Sequence, residues 1–285
     1  MKLAVVLLEL LHARQLTVQD ISRTFGGNFL ESLPGFERGY NYGGEKSLNG
    51  LAMMTVFLDD SKLQRSANIQ AFELSIDDFL DKFTNYGCYC WIIGPKRGVI
   101  GGGQTVDQID GLCGELYKCY KCLNLDHGSN DNMFNYNVDL FEMGDGTRFL
   151  ECQEGENKDA CLCDVMFAEK LAQINKNCQR DQNLGISDSP SCLNEAFRTA
   201  NGGGTFDPFD NSDQGCLKVN MGDHNAKDHC CGNYPNRLPY DSMNRECCRV
   251  THNDGNNPFT VDQIVPFSTC EDRGGFVLEE GTALN

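Results

Sequence analysis

Basic side chains are scarce in this chain, with 24 lysines and arginines against 41 aspartates and glutamates, a net charge of −17. A surface of that sign repels nucleic acid and anionic lipid headgroups, and it attracts cations or basic partners instead. Long apolar runs are also missing. Beyond residues 3–11 nothing approaches the ~20 apolar residues that cross a bilayer, so the chain is not expected to span a membrane. Histidine is sparse as well, with five in all, which limits the groups available for proton transfer near neutral pH.

What is present is cysteine, 16 of them, beside 30 glycines. In a cytosolic protein such a set would read as metal sites, and in a secreted one it reads as bridges. The start of the chain favours secretion. Met1-Lys2 precedes the apolar run LAVVLLELL (3–11) and a small residue at Ala13, the pattern of a leader cut near that residue. Glu9 interrupts the run, and an ordinary buried helix is the competing reading. The expected location is extracellular, with residues 1–13 as signal peptide.

Residues 14–71 read as an N-terminal extension without recognisable chemistry, and LAMMTVFLDD (51–60) as a strand or the start of a helix. Ile76, Phe79, Leu80 and Phe83 lie at helical spacing, and Gly87 ends that run. After the glycine-rich GPKRGVIGGG, the segment DQIDGLCGELYKCYKCL reads as a helix with Ile109, Leu112, Leu116, Tyr120 and Leu123 on one face. NMFNYNVDLFEMGDGTRFLEC alternates around Gly144-Asp145-Gly146 as a β-hairpin does. A third helix follows in DACLCDVMFAEKLAQINKNC, with Val165, Phe167, Leu171 and Ile174 for packing. The polar stretch 180–192 is taken as a boundary. Residues 190–285 are expected to form an irregular, bridge-held module whose CCGNYPNRLPYDSMNRECC resembles small cysteine-rich modules of invertebrate extracellular proteins.

The order of helix, YGCYC, glycine loop, cysteine-bearing helix, hairpin and C-x-C-D helix over roughly 72–178 resembles secretory phospholipase A2. Tyr86-Gly87-Cys88-Tyr89-Cys90 matches the opening of the family's calcium loop. Asp110, Cys113, Cys119 and Tyr120 match its first long helix, and Cys161, Cys163 and Asp164 its second. The resemblance implies a mainly α, disulfide-rich fold of two antiparallel helices plus a β-wing, with residues 72–179 as the domain. It also implies the bridges Cys90–Cys113, Cys119–Cys163, Cys152–Cys161 and Cys88–Cys178. Residues 72–178 hold nine cysteines and the rest of the chain seven, so parity implies a bridge between the two parts, most simply from Cys122. The family's Cys-Cys pair begins at Leu112 here and its usual partner is Lys170, so both halves of one bridge are replaced together.

Other departures remove chemistry. Leu116 stands where the resemblance places the catalytic histidine, and Tyr117 where it places the calcium-binding aspartate. After Tyr89 and Cys90 the loop reads Trp91-Ile92-Ile93, bulky residues where glycines would let backbone carbonyls curl around an ion. Leucine accepts no proton, and a tyrosine hydroxyl is a poor calcium ligand. Asp164 remains as an orienting carboxylate with nothing to orient, expected to accept a hydrogen bond from a tyrosine, Tyr120 being the one named. No histidine replaces the base: His12 is in the leader, and His127 reads as a solvated loop residue beyond the helix end. His252 reads as part of a polar turn. His224 and His229 beside Cys230-Cys231 read as surface residues near bridges more readily than as a zinc site. Cys119-x-x-Cys122 is not read as redox-active. Gly144-Asp145-Gly146 and FDPFDNSDQG (206–215) carry oxygens but lack the spacing of a calcium loop.

The expectation is a secreted, catalytically inactive phospholipase A2-like protein acting as an extracellular binding or matrix protein. No cofactor is expected, weak calcium binding is left open, and the partner is an unidentified extracellular protein, lipid or mineral rather than nucleic acid. The rivals are a calcium-dependent secreted phospholipase A2 and an acidic matrix protein of a mineralised tissue, similar to the otoconins.

Overall fold

The computed structural model describes residues 105–128, 136–143, 147–155, 157–193, 226–254 and 257–278, together with short pieces at 14–15, 51, 54–55, 57–59, 83, 86–90, 102–103 and 216–217. The leader, Trp91, Ile93, Gly144-Asp145-Gly146, His224 and the run 206–215 lie outside the described residues.

Two helices form the centre. Helix α1 spans Gln108–His127, and the Asp107 side chain caps it by accepting from the Asp110 N–H at 2.9 Å. Ile109, Leu112, Leu116, Cys119 and Leu123 recur every three or four residues and are all buried, so one stripe of the helix faces inward. Helix α2 spans Lys158–Asn183 and buries Ala160, Cys163, Asp164, Phe167, Ala168 and Leu171 against that stripe. Cys119–Cys163 joins the two helices covalently, and Lys170 pairs with Glu115 across them at 2.6 Å.

The short strands β1 (Arg14–Gln15) and β2 (Gly102–Gly103) precede α1. Between the helices, β3 (Val138–Glu142) and β4 (Arg148–Cys152) pair antiparallel from Val138↔Cys152 to Glu142↔Arg148, and β1 adds a third strand through Arg14↔Glu142. Phe141 stacks on Phe149 with ring centroids 4.9 Å apart, a cross-strand aromatic pair of the kind that fixes register. Cys152–Cys161 ties this wing to the start of α2.

Residues assigned above to an N-terminal extension take part in the same core. Leu51, Met54, Phe57 and Leu58 are helical and buried within the cluster that holds Leu116 and Leu171. Lys176 donates to the Leu58 carbonyl at 2.6 Å, Asn175 to the Asp59 carboxylate at 3.1 Å, and Arg148 to the Phe57 carbonyl at 3.1 Å. The ambiguity of LAMMTVFLDD between strand and helix resolves as helix, because its apolar positions at 51, 54 and 58 share one face only at a helical period.

The C-terminal part departs most from expectation. Its described residues are built largely of strands rather than irregular loops, so among the described residues helix and sheet are mixed rather than mainly α. After the short β5 (Cys216–Leu217), which pairs with β2, strands β6 (His229–Cys231) and β7 (Leu238–Tyr240) form one hairpin. Strands β8 (Arg245–Asp254), β9 (Asn257–Pro266) and β10 (Gly275–Val277) form a sheet in the order β10-β8-β9. The physical reason is the run of β-branched and aromatic residues from Val250 to Val265, folded back so that Asp254 pairs with Asn257. His252 is accordingly a strand residue, its ring 5.3 Å from that of Phe259, and not part of a turn.

This part is fastened to the end of α1. Cys122 bonds to Cys230, a bridge across 108 residues. Beside it the Arg237 guanidinium donates to both oxygens of Asp126 at 2.6 and 3.2 Å, and the Tyr234 hydroxyl donates to the same carboxylate at 2.7 Å. Such a two-pronged contact is the strongest geometry an arginine makes with a carboxylate.

Candidate functional site

Asp164 sits in the second turn of α2 and is fully buried. Its two oxygens accept hydrogen bonds from the hydroxyls of Tyr120, on α1, and Tyr136, which lies just before β3. Burial pushes the carboxyl up to about 7, with the two tyrosine hydrogen bonds pulling the other way. The expected partner, Tyr120, is one of the two; Tyr136 carried no such assignment, because nothing in its neighbours distinguishes a hydroxyl aimed inward from a tyrosine in an alternating run.

Leu116 lies one helical turn before Tyr120 and is buried in the core, among side chains that include Leu112, Phe167 and Leu171. Tyr117, next on the helix, is half-buried. Around Asp164 the described residues therefore supply two phenols and aliphatic carbon, with no imidazole. His127 is the last residue of α1 rather than a loop residue, and its Nε2 lies 3.1 Å from Asp159 Oδ2 at the surface. His229 is in β6, its Nδ1 3.0 Å from the Asp228 carboxylate. Among the described residues no group of three metal-ligating side chains gathers.

A second buried carboxyl, Asp110, holds the loop opening against α1. The N–H of Tyr89 donates to its Oδ1 at 2.7 Å and that of Val106 to its Oδ2 at 3.1 Å. Burial again raises the carboxyl, to about 6, against these backbone donors. Next to it the Tyr86 hydroxyl donates to Asp107. Asp110 matched the family's helix in the sequence but had no role there. Its position four residues after Val106 at a helix start is the signal for a carboxylate that collects backbone amides.

Gly87 makes that clamp possible. Its φ is +58°, and a Cβ there would lie 2.4 Å from Asp110 Oδ1. Gly87→Ala is therefore expected to cost about 2–4 kcal/mol, from the left-handed backbone and the clash together. In an Asp110→Ala background the carboxyl clash is gone and only the tight approach to the remaining Cβ at 3.0 Å and the left-handed backbone are left, so the same change should cost about 1–2 kcal/mol. Urea unfolding of the four proteins with bridges intact reads this coupling, and equal costs in both backgrounds would refute the clamp.

The bridges Cys90–Cys113, Cys119–Cys163 and Cys152–Cys161 are formed. The fourth pairing implied by the resemblance, Cys88–Cys178, is not. Cys178 bonds to Cys192, because α2 ends at Asn183, the chain turns through Gly185 at φ +77°, and residues 186–192 run back beside the last turns. That brings the two Cα atoms to 4.8 Å. Cys88 is disulfide-bonded elsewhere. Cys231–Cys247 and Cys248–Cys270 staple the C-terminal strands, which brings the bridges among the described residues to seven.

A bridged helix pair, a β-wing and a buried aspartate held by two tyrosines define a class of small disulfide-rich α+β proteins. The chain belongs to the phospholipase A2 family. It is 31% identical over 97 residues to neutral phospholipase A2 homolog taipoxin beta chain 2 of Oxyuranus scutellatus scutellatus, covering 33% of this chain and 71% of that one. It is 32% identical over 109 residues to basic phospholipase A2 nigroxin A of Micrurus nigrocinctus, covering 36% of this chain and 82% of that one. No family model matches the chain. No solved structure matches it. Among the described residues no helix is long and apolar enough to cross a membrane.

Proposed function

We propose that this is a secreted, catalytically inactive phospholipase A2-like protein that serves as an extracellular binding or matrix protein. Residues 72–179 form its phospholipase A2-like domain and 190–285 its cysteine-rich module. The observation that carries this reading is the pairing of Leu116 with Asp164. The family's base position is a buried leucine, and the carboxylate that would orient a base instead accepts from Tyr120 and Tyr136. Hydrolysis of an ester by activated water needs a group that takes the water's proton, a contribution of about 10²–10⁴ in rate. Aliphatic carbon supplies none.

The described side chains at these positions argue against a strong calcium site, with weak binding left open. Tyr117 offers a phenol where a carboxylate is required, and both oxygens of Asp110 already accept backbone N–H groups. The seven bridges support an oxidising, extracellular setting. One relative bears the name of a phospholipase A2 homolog and another that of a phospholipase A2, so membership of the family is compatible with either outcome of an assay.

Incubation of the purified protein with mixed phospholipid vesicles, with and without millimolar calcium, is expected to release fatty acid at the background rate in both cases. Calcium-dependent release that disappears in Asp164→Ala would overturn the reading.

A further inference from the structure

The C-terminal strands enclose a cleft of about 360 Å³ that no part of the helical site touches. Pro239 and Tyr240 from β7, Arg245 at the start of β8 and Ile264 from β9 line it, so it lies where the two C-terminal sheets meet. Cys231–Cys247 pins the sheets together at that junction, and Tyr240, Cys231 and Cys247 pack as one buried cluster with Ile264. The walls are thus held in place covalently, and a ligand would not have to order them.

The charges lining the cleft run against the rest of the molecule. Lys227 and Arg245 line it with one carboxylate, Asp241, in a chain where acids outnumber basic residues by 41 to 24. The Asp241 carboxylate is turned into its own tight turn, accepting from the Met243 N–H at 2.9 Å and from the Asn244 side-chain amide at 2.5 Å. Neighbouring Asp228 likewise accepts from the Ser242 N–H and hydroxyl at 2.9 and 2.7 Å. Two other arginines of this part are committed, Arg237 to Asp126 and Arg249 to Asp262. Among the described residues no carboxylate pairs with Arg245, which lies exposed at the cleft with its five donors unassigned.

We propose that this cleft binds a small organic oxyanion with an apolar body, its charged end on the Arg245 guanidinium and its body against Pro239, Tyr240 and Ile264. A guanidinium fork matches the geometry of carboxylate or sulfate oxygens, and a rigid apolar wall of this size accommodates one ring or a short branched chain. The inference names a ligand class for the binding role proposed above and rests on that reading. Its outcome is separate from the turnover assay, because the cleft contains neither Leu116 nor Asp164.

The test titrates the full secreted chain with benzoate, phenyl sulfate, inorganic sulfate and benzyl alcohol, following binding by ligand-observed NMR. At least one of the two organic anions is expected to bind, whereas inorganic sulfate and benzyl alcohol should each bind about tenfold more weakly or less. Arg245→Gln, an exposed substitution that leaves every bridge in place, should weaken the organic anion about tenfold. Equal binding by Arg245→Gln, equal binding by inorganic sulfate or benzyl alcohol, or no binding of either organic anion would overturn the proposal.

Discussion

Replacing Cys122 and Cys230 together by serine is expected to lower the unfolding free energy by about 4 kcal/mol. The bridge closes 108 residues of chain, and removing a crosslink over a loop of that size releases roughly 4.7 kcal/mol of denatured-state entropy. Two other bridges, Cys119–Cys163 and Cys178–Cys192, already short-cut that loop. They reduce its effective length to roughly half, and each halving lowers the closure entropy by only about 0.6 kcal/mol. The serine pair leaves the Arg237–Asp126 fork in place, so the C-terminal strands should remain docked in native buffer yet unfold at lower urea than the helices. Unfolding monitored separately at the helices and at the β8–β9 sheet reads this directly. A single transition, shifted by less than about 1 kcal/mol, would show that the fork and not the bridge fixes the two parts.

Stability should fall as pH rises from about 4 to about 7. Asp164 has a folded-state pKa of about 7 against 3.8 as its ordinary value, because burial disfavours the ionised carboxyl. Between those limits the unfolded chain has released the proton and the folded chain keeps it, so folding takes up a proton. The stabilisation from that proton is complete below pH 4, is lost progressively as pH rises, and is gone above about 7. Three units correspond to about 4 kcal/mol. Asp110, raised to about 6, adds a contribution of the same sign that ends a unit lower. Asp164→Asn keeps the volume and removes the proton. The slope between pH 6 and 7 should therefore vanish in this variant, while the part below 6 that belongs to Asp110 persists. Urea midpoints at half-unit steps from pH 4 to 8 give the measurement. A slope between 6 and 7 that survives in Asp164→Asn would place the titrating group elsewhere.

The helical half was legible because its signals are local and periodic. The stripe Ile109, Leu112, Leu116 and Leu123, the alternation flanking residues 144–146 and the spacing of Cys161, Cys163 and Asp164 each fit one element only. Three bridges followed from the resemblance for the same reason, since α1 and α2 present their cysteines at fixed intervals. Cys178 was misassigned because its partner depends on how the chain leaves α2, and a reversal at Gly185 is not visible in spacing.

The C-terminal strands were hidden by their own cysteines, and His252 was read as part of a polar turn although Gly255-Asn256, the two residues between the paired Asp254 and Asn257, are a hairpin signal in the sequence. Leu51 to Leu58 looked detached because the tie is tertiary. Lys176 and Asn175 reach them from more than a hundred residues away. At the candidate site Leu116, Tyr117 and Asp164 were readable as residue types at known positions. Tyr136 was not, and for Asp110 the helix start points to the Val106 amide but not to that of Tyr89, since a buried carboxyl's distant partners are a matter of three-dimensional approach.

Cys119 and Cys122 stand three residues apart on α1, one bonded to α2 and the other to the C-terminal strands. Mechanically this makes one turn of helix the load path of the molecule. Tension applied to β6 reaches the helix pair through two covalent links separated by a single helical turn, with no strand pairing in series between them. A pull that separates the parts at this joint must break a sulfur–sulfur bond, whereas β10, which follows Cys270, can be peeled from β8 one hydrogen bond at a time. Stretched from its C-terminus, the protein is therefore built to give way first at β10, with the β8–β9 hairpin closed at its base by Cys248–Cys270 and the helix pair intact.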